Sequence, residues 1–266
     1  MTDTLDRAAA LADRLFAENV EGRPFRRPQG TERPASLDEG YRVQNLLNQR
    51  FAEAGRGAPA GYKVGLTSEA IQTMYGSDQP INGVVFETGV HRSPARIALA
   101  DYIHLGFEFE LAVEIGSDFR PEDAPFALDD ARARVAACMP AFELIEDRNA
   151  DHGDVDALSI LVDNSWCAGV VLGPPRTDWR SLDLADTPVS LRVNDAPPAT
   201  AVTGAAMGNP LNSLVWLANQ LASRGTTLKG GMIVMTGSTL ATQFAEAGDR
   251  FVYEIEGLGA VEATIV

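Results

Sequence analysis

Cysteine is scarce in this sequence, and long apolar runs are missing. Cys138 and Cys167 are too few for a disulfide framework, and both lie in apolar stretches that are typical of buried free thiols. No stretch approaches the ~18 consecutive apolar residues of a transmembrane helix, and the charged, amphipathic N-terminus has no apolar signal core. We therefore expect a cytoplasmic protein that does not enter a membrane.

Basic residues are outnumbered by acidic ones. The chain has 22 Lys and Arg against 37 Asp and Glu, which gives a formal net charge of −15. Nucleic acids and anionic membrane surfaces require patches rich in Lys and Arg, so neither is an expected partner. A small anionic substrate stays compatible with this charge, because a bound cation can reverse the local field inside a cleft.

Familiar catalytic motifs are absent as well. The sequence has no GxSxG nucleophile elbow, and GAAMGN (204–209) lacks the spacing and the lysine of a phosphate-binding loop. The three histidines, His91, His104 and His152, show no metal-ligand spacing, although His152 is compatible with a loop beside a site. These absences argue against serine hydrolases, P-loop enzymes and histidine-based metal sites.

The hydrophobic pattern predicts two parts of unequal size. Residues 1–56 form an N-terminal helical segment with helices over 3–18 and 37–54, and residues 57–266 form a larger second domain. Nine strands are predicted in the second part, at 60–66, 82–87, 107–115, 139–146, 166–173, 188–193, 231–237, 250–256 and 260–265. Three helices are predicted there, at 67–75, 122–137 and 210–224. Because strands dominate in a non-alternating order, we expect an α+β fold with a mostly antiparallel or mixed sheet.

The stretch FEFELAVEIG (107–116) alternates apolar and mainly acidic residues, which predicts a half-buried strand. On such a strand Glu108 and Glu110 point the same way, with Cβ atoms roughly 6.5–7 Å apart. The two carboxylates can therefore converge on one hard cation such as Mg²⁺ or Mn²⁺. The alternative is a solvated sheet face, on which alternating glutamates need no function.

Two further charged residues lie inside apolar strand patterns. Glu143, in CMPAFELIEDR (138–148), is costly to bury unless it binds a metal or pairs with an arginine. Lys63, in GYKVG, either pairs with a buried glutamate or serves as a functional ammonium that stabilises an enolate oxygen. Glu108, Glu110 and Glu143 together are compatible with a single carboxylate-lined metal site.

Six segments, taken together and in this order, resemble the 2-keto-4-pentenoate hydratases, which with the 4-oxalocrotonate decarboxylases form a branch of the fumarylacetoacetate hydrolase superfamily. The resemblance runs from about residue 37 to the C-terminus. The segments are GYKVGLTS, GFEFELAVEIG, AFELIEDR, DNSWCAGVVLG, GNPLNSLVWLANQLASRG and LKGGMIVMTGS. The resemblance implies an α+β fold whose core is a mixed β-roll of the fumarylacetoacetate hydrolase C-terminal-domain type, with a small N-terminal helical layer.

The resemblance also implies site residues and a cofactor. The family's metal ligands carry over to Glu108, Glu110 and Glu143, its active-site lysine carries over to Lys63, and the ion is Mg²⁺ or Mn²⁺. The expected reaction is the addition of water to a 2-hydroxyalka-2,4-dienoate, through the 2-oxo-3-enoate, to give a 4-hydroxy-2-oxo acid. Members of the family are commonly homo-oligomers of catabolic pathways for aromatic compounds, and association with another enzyme of the pathway is compatible with this role.

The general base and the substrate contacts are less well defined by the sequence. Asp78 and Glu69 are candidate bases by position alone, and Asp78 fits a turn equally well. The candidate substrate contacts are Arg148, Ser165 and Thr236. The stretch after Thr236 departs from that of a typical hydratase. The sequence therefore does not define the chemical group at the end of the substrate remote from the metal.

Three alternative functions remain at the level of the sequence. A 4-oxalocrotonate-type decarboxylase would use the same metal and enolate on a substrate with an additional carboxylate, for which Arg148 is the candidate cation. An acylpyruvate C–C hydrolase typically places a His/Glu pair on a lid, and residues 37–45 contain no histidine. A non-catalytic subunit would have lost the lysine or a ligand carboxylate, and neither is lost.

Overall fold

The computed structural model describes residues 2–266, and side chains from residue 5 onward; residue 1, the first of the predicted helical segment, lies outside them. The α-helices are α1 (Thr2–Val20), α2 (Leu37–Phe51), α3 (Glu69–Met74), α4 (Leu128–Arg134), α5 (Ala157–Val162) and α6 (Pro210–Ser223). The strands are β1 (Pro59–Gly65), β2 (Ile81–Phe86), β3 (Val90–Arg92), β4 (Ala95–Ile97), β5 (Leu105–Ile115), β6 (Val135–Glu146), β7 (Cys167–Leu172), β8 (Pro188–Val193), β9 (Ala199–Val202), β10 (Ile233–Ser238), β11 (Gln243–Phe244), β12 (Arg250–Ile255) and β13 (Gly259–Ile265). Within this described part, none of the helices has both the length and the apolar character needed to cross a membrane.

The strands form two sheets. The larger sheet has the order β2-β1-β10-β5-β6-β7-β3, with β11 also paired to β5, and the smaller sheet has the order β4-β13-β12-β8-β9. The pairs β1–β10, β3–β7 and β4–β13 are parallel, whereas the other pairs are antiparallel. The predicted α+β fold with a mixed sheet is therefore confirmed.

The long strand β5 packs the larger sheet against the smaller one. Phe107 and Phe109 project from its apolar face and are fully buried. The Phe107 ring stacks on Phe251 of β12 at 4.5 Å between centroids, and it meets Phe142 of β6 edge-on at 5.4 Å. Aromatic pairs of this kind contribute about 0.5–1.5 kcal/mol each beyond the area they bury. The opposite face of β5, which carries Glu108 and Glu110, is left free for a site.

The N-terminal helices α1 and α2 pack against each other and share the main core. Leu15, Leu47 and Phe51 are almost fully buried in the same apolar cluster as Phe107. Leu5 of α1, by contrast, is half exposed. The division into a helical segment and a catalytic domain at residue 57 stays a prediction.

The predicted helix 122–137 is shorter in the structure. Its central part forms α4, but residues 135–137 already belong to β6, which pairs with β5 along its whole length. This pairing outweighs the helix propensity of the alanine-rich sequence, because a ladder with a buried partner strand contributes more than local preference. The strands β3, β4, β9 and β11 have two to four residues each, too few to give a periodic signal.

Candidate metal and substrate site

Three glutamates converge on the inner face of the larger sheet. Glu108 of β5 lies opposite Glu143 of β6 in the antiparallel register, and Glu110 follows two residues after Glu108. One carboxylate oxygen from each lies within 4.8 Å of the others. Glu110 and Glu143 are fully buried, whereas Glu108 is half-buried. The structure thus brings together the three residues that the sequence suggested, and their role as metal ligands stays a prediction.

Neighbouring groups hold two of these carboxylates in place. Thr242 donates a hydrogen bond from Oγ1 to Glu108 Oε1 at 2.9 Å, and the backbone N–H of Gly237 donates to Glu110 Oε2 at 2.7 Å. Gly237 has a φ of 106°, and a Cβ atom there would lie 2.4 Å from Thr67 Oγ1. Glycine is therefore required at this position, both for its backbone conformation and for space.

The donor set fits a hard divalent cation. Glu110 Oε1 and Glu143 Oε2 are buried and, within residues 2–266, have no hydrogen-bond partner. Buried carboxylate oxygens without partners are costly, and a metal ion would satisfy them. Because all three side chains offer only oxygen, the set suits Mg²⁺ or Mn²⁺ better than a thiolate- or imidazole-preferring metal.

Lys63 lies beside the glutamates although its strand is distant in the sheet order. Its Nζ atom is 3.0 Å from Glu143 Oε1, and both side chains are buried. Three strand spacings separate β1 from β6, which would amount to about 14 Å in a flat sheet. The ammonium therefore reaches the carboxylates across the intervening strands β10 and β5 and not through proximity in sequence.

The charges at this cluster perturb one another strongly. Burial raises the pKa of Glu143 to about 7, against the lowering effect of Lys63 and with a further raising effect of Glu108. Burial also raises the pKa of Glu110 well above its ordinary value, and the charges of Glu143 and Glu108 add to this effect. For Lys63 burial lowers the pKa, but the charges of Glu143 and Glu108 outweigh it and hold the pKa above its ordinary value.

The metal-free protein is expected to lose stability as the pH rises from about 5.5 to 8. In this window the folded protein binds more protons at Glu110 and Glu143 than the unfolded chain, whose glutamates have pKa values near 4.3. The stabilisation is complete below about pH 4.3 and is lost as the pH rises through about 7. Thermal unfolding in EDTA across this range, with a matched series in saturating Mg²⁺, measures the effect. A melting temperature that rises with pH in EDTA would contradict it.

A cavity of about 580 Å³ opens beside the cluster. Lys63 and Glu108 lie in its wall, with Ser165 and Thr242. The rest of the wall is mainly apolar and includes Leu66, Ile71, Ile145, Ile160, Leu240 and Phe244. The cavity therefore combines a charged end with an extended hydrocarbon-like surface.

Two residues at one wall of the cavity have unusual backbone conformations. Ser165 and Trp166 have φ values of 51° and 57°, directly after Asn164 at 50°. The Asn164 side chain exchanges two hydrogen bonds with the backbone of Val84, at 2.8 and 2.9 Å, and holds this turn in place. Non-glycine residues in this region carry strain of order 1–3 kcal/mol each, which is commonly found at functional sites.

The two predicted substrate contacts Ser165 and Thr236 differ in their position relative to the cavity. Ser165 is at the cavity, and its Oγ donates to the carbonyl of Asn82 at 2.9 Å. Thr236 is fully buried, outside the cavity wall, and donates to the carbonyl of Leu111 at 2.6 Å. Their roles as substrate contacts stay predictions.

Asp78 and Arg148 are not brought to the cavity. The chain turns away after α3, so Asp78 is exposed on a loop. The alternative base Glu69, the first residue of α3, is also exposed. Arg148 is buried in the wall of a different cavity of about 340 Å³, where its Nη2 donates to Asp163 Oδ2 at 2.7 Å. Neither the predicted general base nor the predicted cation for a second carboxylate therefore faces the glutamates.

Two further residues complete the cavity wall: His152, which the sequence placed on a loop beside a site, and Tyr75, which the sequence did not single out. Tyr75 lies at the end of α3, and its Oη atom forms a hydrogen bond of 2.9 Å with His152 Nδ1. His152 Nε2 lies 2.8 Å from Asp147 Oδ2, and Asp147 Oδ1 lies 2.8 Å from His104 Nδ1. Tyr75 and His152 are 77 positions apart in the chain, so no local motif could have joined them.

Comparisons with known proteins agree with this architecture. Residues 69–266 match the model of the family described as fumarylacetoacetate (FAA) hydrolase C-terminal. The chain is 30% identical over 256 residues to a 2-keto-4-pentenoate hydratase of Burkholderia vietnamiensis, covering 96% of each chain, and 30% identical over 226 residues to a 2-hydroxyhexa-2,4-dienoate hydratase of Comamonas testosteroni, covering 84% of each. A solved structure of 4-oxalocrotonate decarboxylase from Pseudomonas putida G7, complexed with magnesium and adipate, superimposes with a TM-score of 0.89 at 25% identity over 98% of each chain.

Proposed function

Because the chain belongs to the fumarylacetoacetate hydrolase C-terminal family, we propose that it is a metal-dependent hydratase, an enzyme of the lyase class. Its substrate is a 2-hydroxyalka-2,4-dienoate, which isomerises to the 2-oxo-3-enoate and takes up water at C4 to give a 4-hydroxy-2-oxo acid. The observation that carries the proposal is a cavity whose wall contains Lys63, Glu108 of the three-glutamate cluster and mainly apolar side chains. The similarity to hydratases along nearly the whole chain supports it.

The glutamates and Lys63 act on the oxygen-rich end of the substrate. Mg²⁺ or Mn²⁺, bound by Glu108, Glu110 and Glu143, would offset the negative charge of the substrate carboxylate and of the C2 oxygen. The Lys63 ammonium, held 3.0 Å from Glu143, is positioned to donate a hydrogen bond to the same C2 oxygen. Because Lys63 is buried and ion-paired, its position is fixed before the substrate binds.

The cavity favours hydration over decarboxylation of a dicarboxylate. In the described part of the chain, Lys63 is the single lysine or arginine that lines this cavity, and it is already paired with Glu143. A second carboxylate of the substrate would therefore find no further Lys or Arg counter-ion in this mainly apolar wall. Arg148, which could have supplied that charge, lies in the other cavity.

Substrates with a hydrocarbon end are expected to react faster than those with a second carboxylate. We expect 2-hydroxypenta-2,4-dienoate and 2-hydroxyhexa-2,4-dienoate to give 4-hydroxy-2-oxo acids in the presence of Mg²⁺, with kcat/KM at least about 100-fold above that for 4-oxalocrotonate, because an unpaired carboxylate in an apolar wall costs several kcal/mol. Product identification by NMR and detection of CO₂ measure both reactions in one assay.

Each control in this assay has a defined reading. EDTA should stop hydration and Mn²⁺ should restore it. Preferential release of CO₂ from 4-oxalocrotonate would show that the protein is a decarboxylase and not a hydratase. Metal binding without turnover of any of the three compounds would contradict both the hydratase and the decarboxylase function.

We also propose that the protein works in the cytoplasm as a homo-oligomer, in the degradation of aromatic compounds and beside other enzymes of that pathway. Light scattering after size-exclusion chromatography measures the number of copies.

A further inference from the structure

A chain of hydrogen bonds leads from the wall of the cavity into the protein. It begins at the hydroxyl of Tyr75, continues through both ring nitrogens of His152 and ends at the carboxylate of Asp147, over distances of 2.9 and 2.8 Å. Tyr75 and His152 both line the cavity that contains Lys63 and Glu108. The function proposed above assigns no role to this chain.

Asp147 is fixed in position and defines the tautomer of His152. Its side chain is fully buried, and its Oδ1 accepts from the backbone N–H of Asn149 at 2.9 Å and contacts His104 Nδ1 at 2.8 Å. Since a carboxylate accepts hydrogen bonds, His152 Nε2 carries the proton that faces Asp147. In the neutral form of His152 the other nitrogen, Nδ1, is an acceptor, and the Tyr75 hydroxyl donates to it.

Backbone and ring contacts hold Tyr75, His152 and Asp147 in these positions. Two consecutive left-handed residues, Arg148 and Asn149 with φ of 52° and 59°, turn the strand end so that His152 returns to Asp147. The Tyr75 carbonyl accepts from the N–H of Ala157 at 2.9 Å, which ties the end of α3 to the start of α5. The ring of Trp166 packs edge-on against His152 at 5.4 Å between centroids.

We propose that Tyr75 is the acid–base residue of the reaction, and that His152 and Asp147 form the relay behind it. The proposal rests on the hydratase function. As water attacks C4, its oxygen bonds to C4 and the C3=C4 π electrons move to the enolate of C2 and C3. The water proton passes to the Tyr75 oxygen while the Tyr75 proton passes to His152 Nδ1, and Asp147 stabilises the imidazolium. The reverse transfer then delivers one proton to C3, which restores the relay and completes the addition of H₂O.

The other groups at the cavity are less suited to this task. Lys63 is engaged by Glu143, and the three glutamates are the metal ligands of the proposed function. Burial, with the charges of Glu108 and Asp147, raises the pKa of the Tyr75 phenol, so the hydroxyl keeps its proton before reaction. A protonated tyrosine hydrogen-bonded to a neutral histidine can pass a proton on without first becoming an anion.

Three variants test the relay. Tyr75→Phe and His152→Ala are expected to lower kcat by about 10²–10⁴-fold, the usual contribution of a general acid–base group, with KM and Mg²⁺ affinity changed by less than about 3-fold. Added imidazole should restore part of the activity of His152→Ala and none of that of Tyr75→Phe. His91→Ala is the matched control, because His91 lines the other cavity, and its activity should equal that of the wild type.

A second assay separates this proposal from the hydratase function. In D₂O the wild type should exchange the C3 protons of 2-oxopentanoate, a transfer that needs the relay but no hydration, and both variants should lose this exchange to the same degree as kcat. If the wild type exchanged these protons but hydrated none of the dienoates, the hydratase proposal would be contradicted and the proton relay would still be supported. Exchange and turnover within 3-fold of wild type in Tyr75→Phe, or loss of both in His152→Ala without rescue by imidazole, would overturn the relay. Absence of both reactions in the wild type would overturn both proposals.

Discussion

Replacing Glu110 by glutamine is expected to weaken Mg²⁺ or Mn²⁺ binding by more than about 100-fold and to remove catalysis. Residues that merely support a metal ligand contribute about 10–100-fold to affinity, and the proposed role of Glu110 is that of a ligand. The glutamine oxygen can still accept the hydrogen bond from Gly237, so the fold should persist. Isothermal titration calorimetry with each metal, beside the NMR assay, measures the two losses.

The metal-free Glu110→Gln protein should be more stable than metal-free wild type at pH 8. The substitution removes one of three acidic groups whose carboxylate oxygens lie within 4.8 Å of each other, and with it part of the repulsion among them. A gain of about 1 kcal/mol corresponds to about 2–4 °C in melting temperature for a chain of this size. Glu114→Gln is the control, since Glu114 lies on the same face of β5 but outside the cluster. Tight metal binding by Glu110→Gln would exclude Glu110 as a ligand.

Replacing Lys63 by methionine is expected to separate metal binding from catalysis. In the metal-free protein the change leaves the buried carboxylates without a cation, which typically costs about 3–5 kcal/mol. Metal affinity should be retained or increased, because the metal no longer competes with the ammonium for Glu143. The value of kcat should nevertheless fall by about 10²–10³-fold, the usual effect of losing one donor to a developing oxyanion.

The chain offers a clean comparison for this variant. Lys229 is the other lysine of the sequence and is exposed, so Lys229→Met should match the wild type in stability, metal binding and turnover. Denaturant unfolding with and without Mg²⁺ gives the two stabilities. Simultaneous loss of metal affinity and activity in Lys63→Met would show that Lys63 acts through the geometry of the carboxylates and not on the substrate.

The long elements could be predicted from the sequence because each carries its own pattern. Strands β5 and β6 have 11 and 12 residues with alternating or continuous apolar character, and α6 begins at the Asn209–Pro210 cap that favours a helix. Glu108, Glu110 and Glu143 were detectable because a carboxylate inside such a pattern is costly without a partner. Their convergence follows from one pairing, β5 with β6, which the sequence does not state but which adjacent long strands favour.

The remaining cavity residues depend on tertiary features that have no local signal. The positions of Asp78 and Arg148 are decided by turns, the one after α3 and the left-handed one at Arg148 itself, and these turns aim the two side chains away from the glutamates. Tyr75 and His152 come together only because α3 and the segment after β6 meet at the mouth of the cavity. Lys63 reaches Glu143 across the two strands, β10 and β5, that lie between β1 and β6.

The two faces of β5 have a consequence for how enzymes of this kind can diversify. Phe107 and Phe109 join the sheets, whereas Glu108 and Glu110, one position along, are the proposed metal ligands. A substitution at a glutamate therefore changes the reaction with little effect on folding, and a substitution at a phenylalanine does the opposite. The cavity rim comes from separate segments, such as α3 and the residues near Phe244. Evolution can thus change the substrate through substitutions at the rim. The alternating residues of β5 meanwhile preserve both the packing of the two sheets and the proposed metal site.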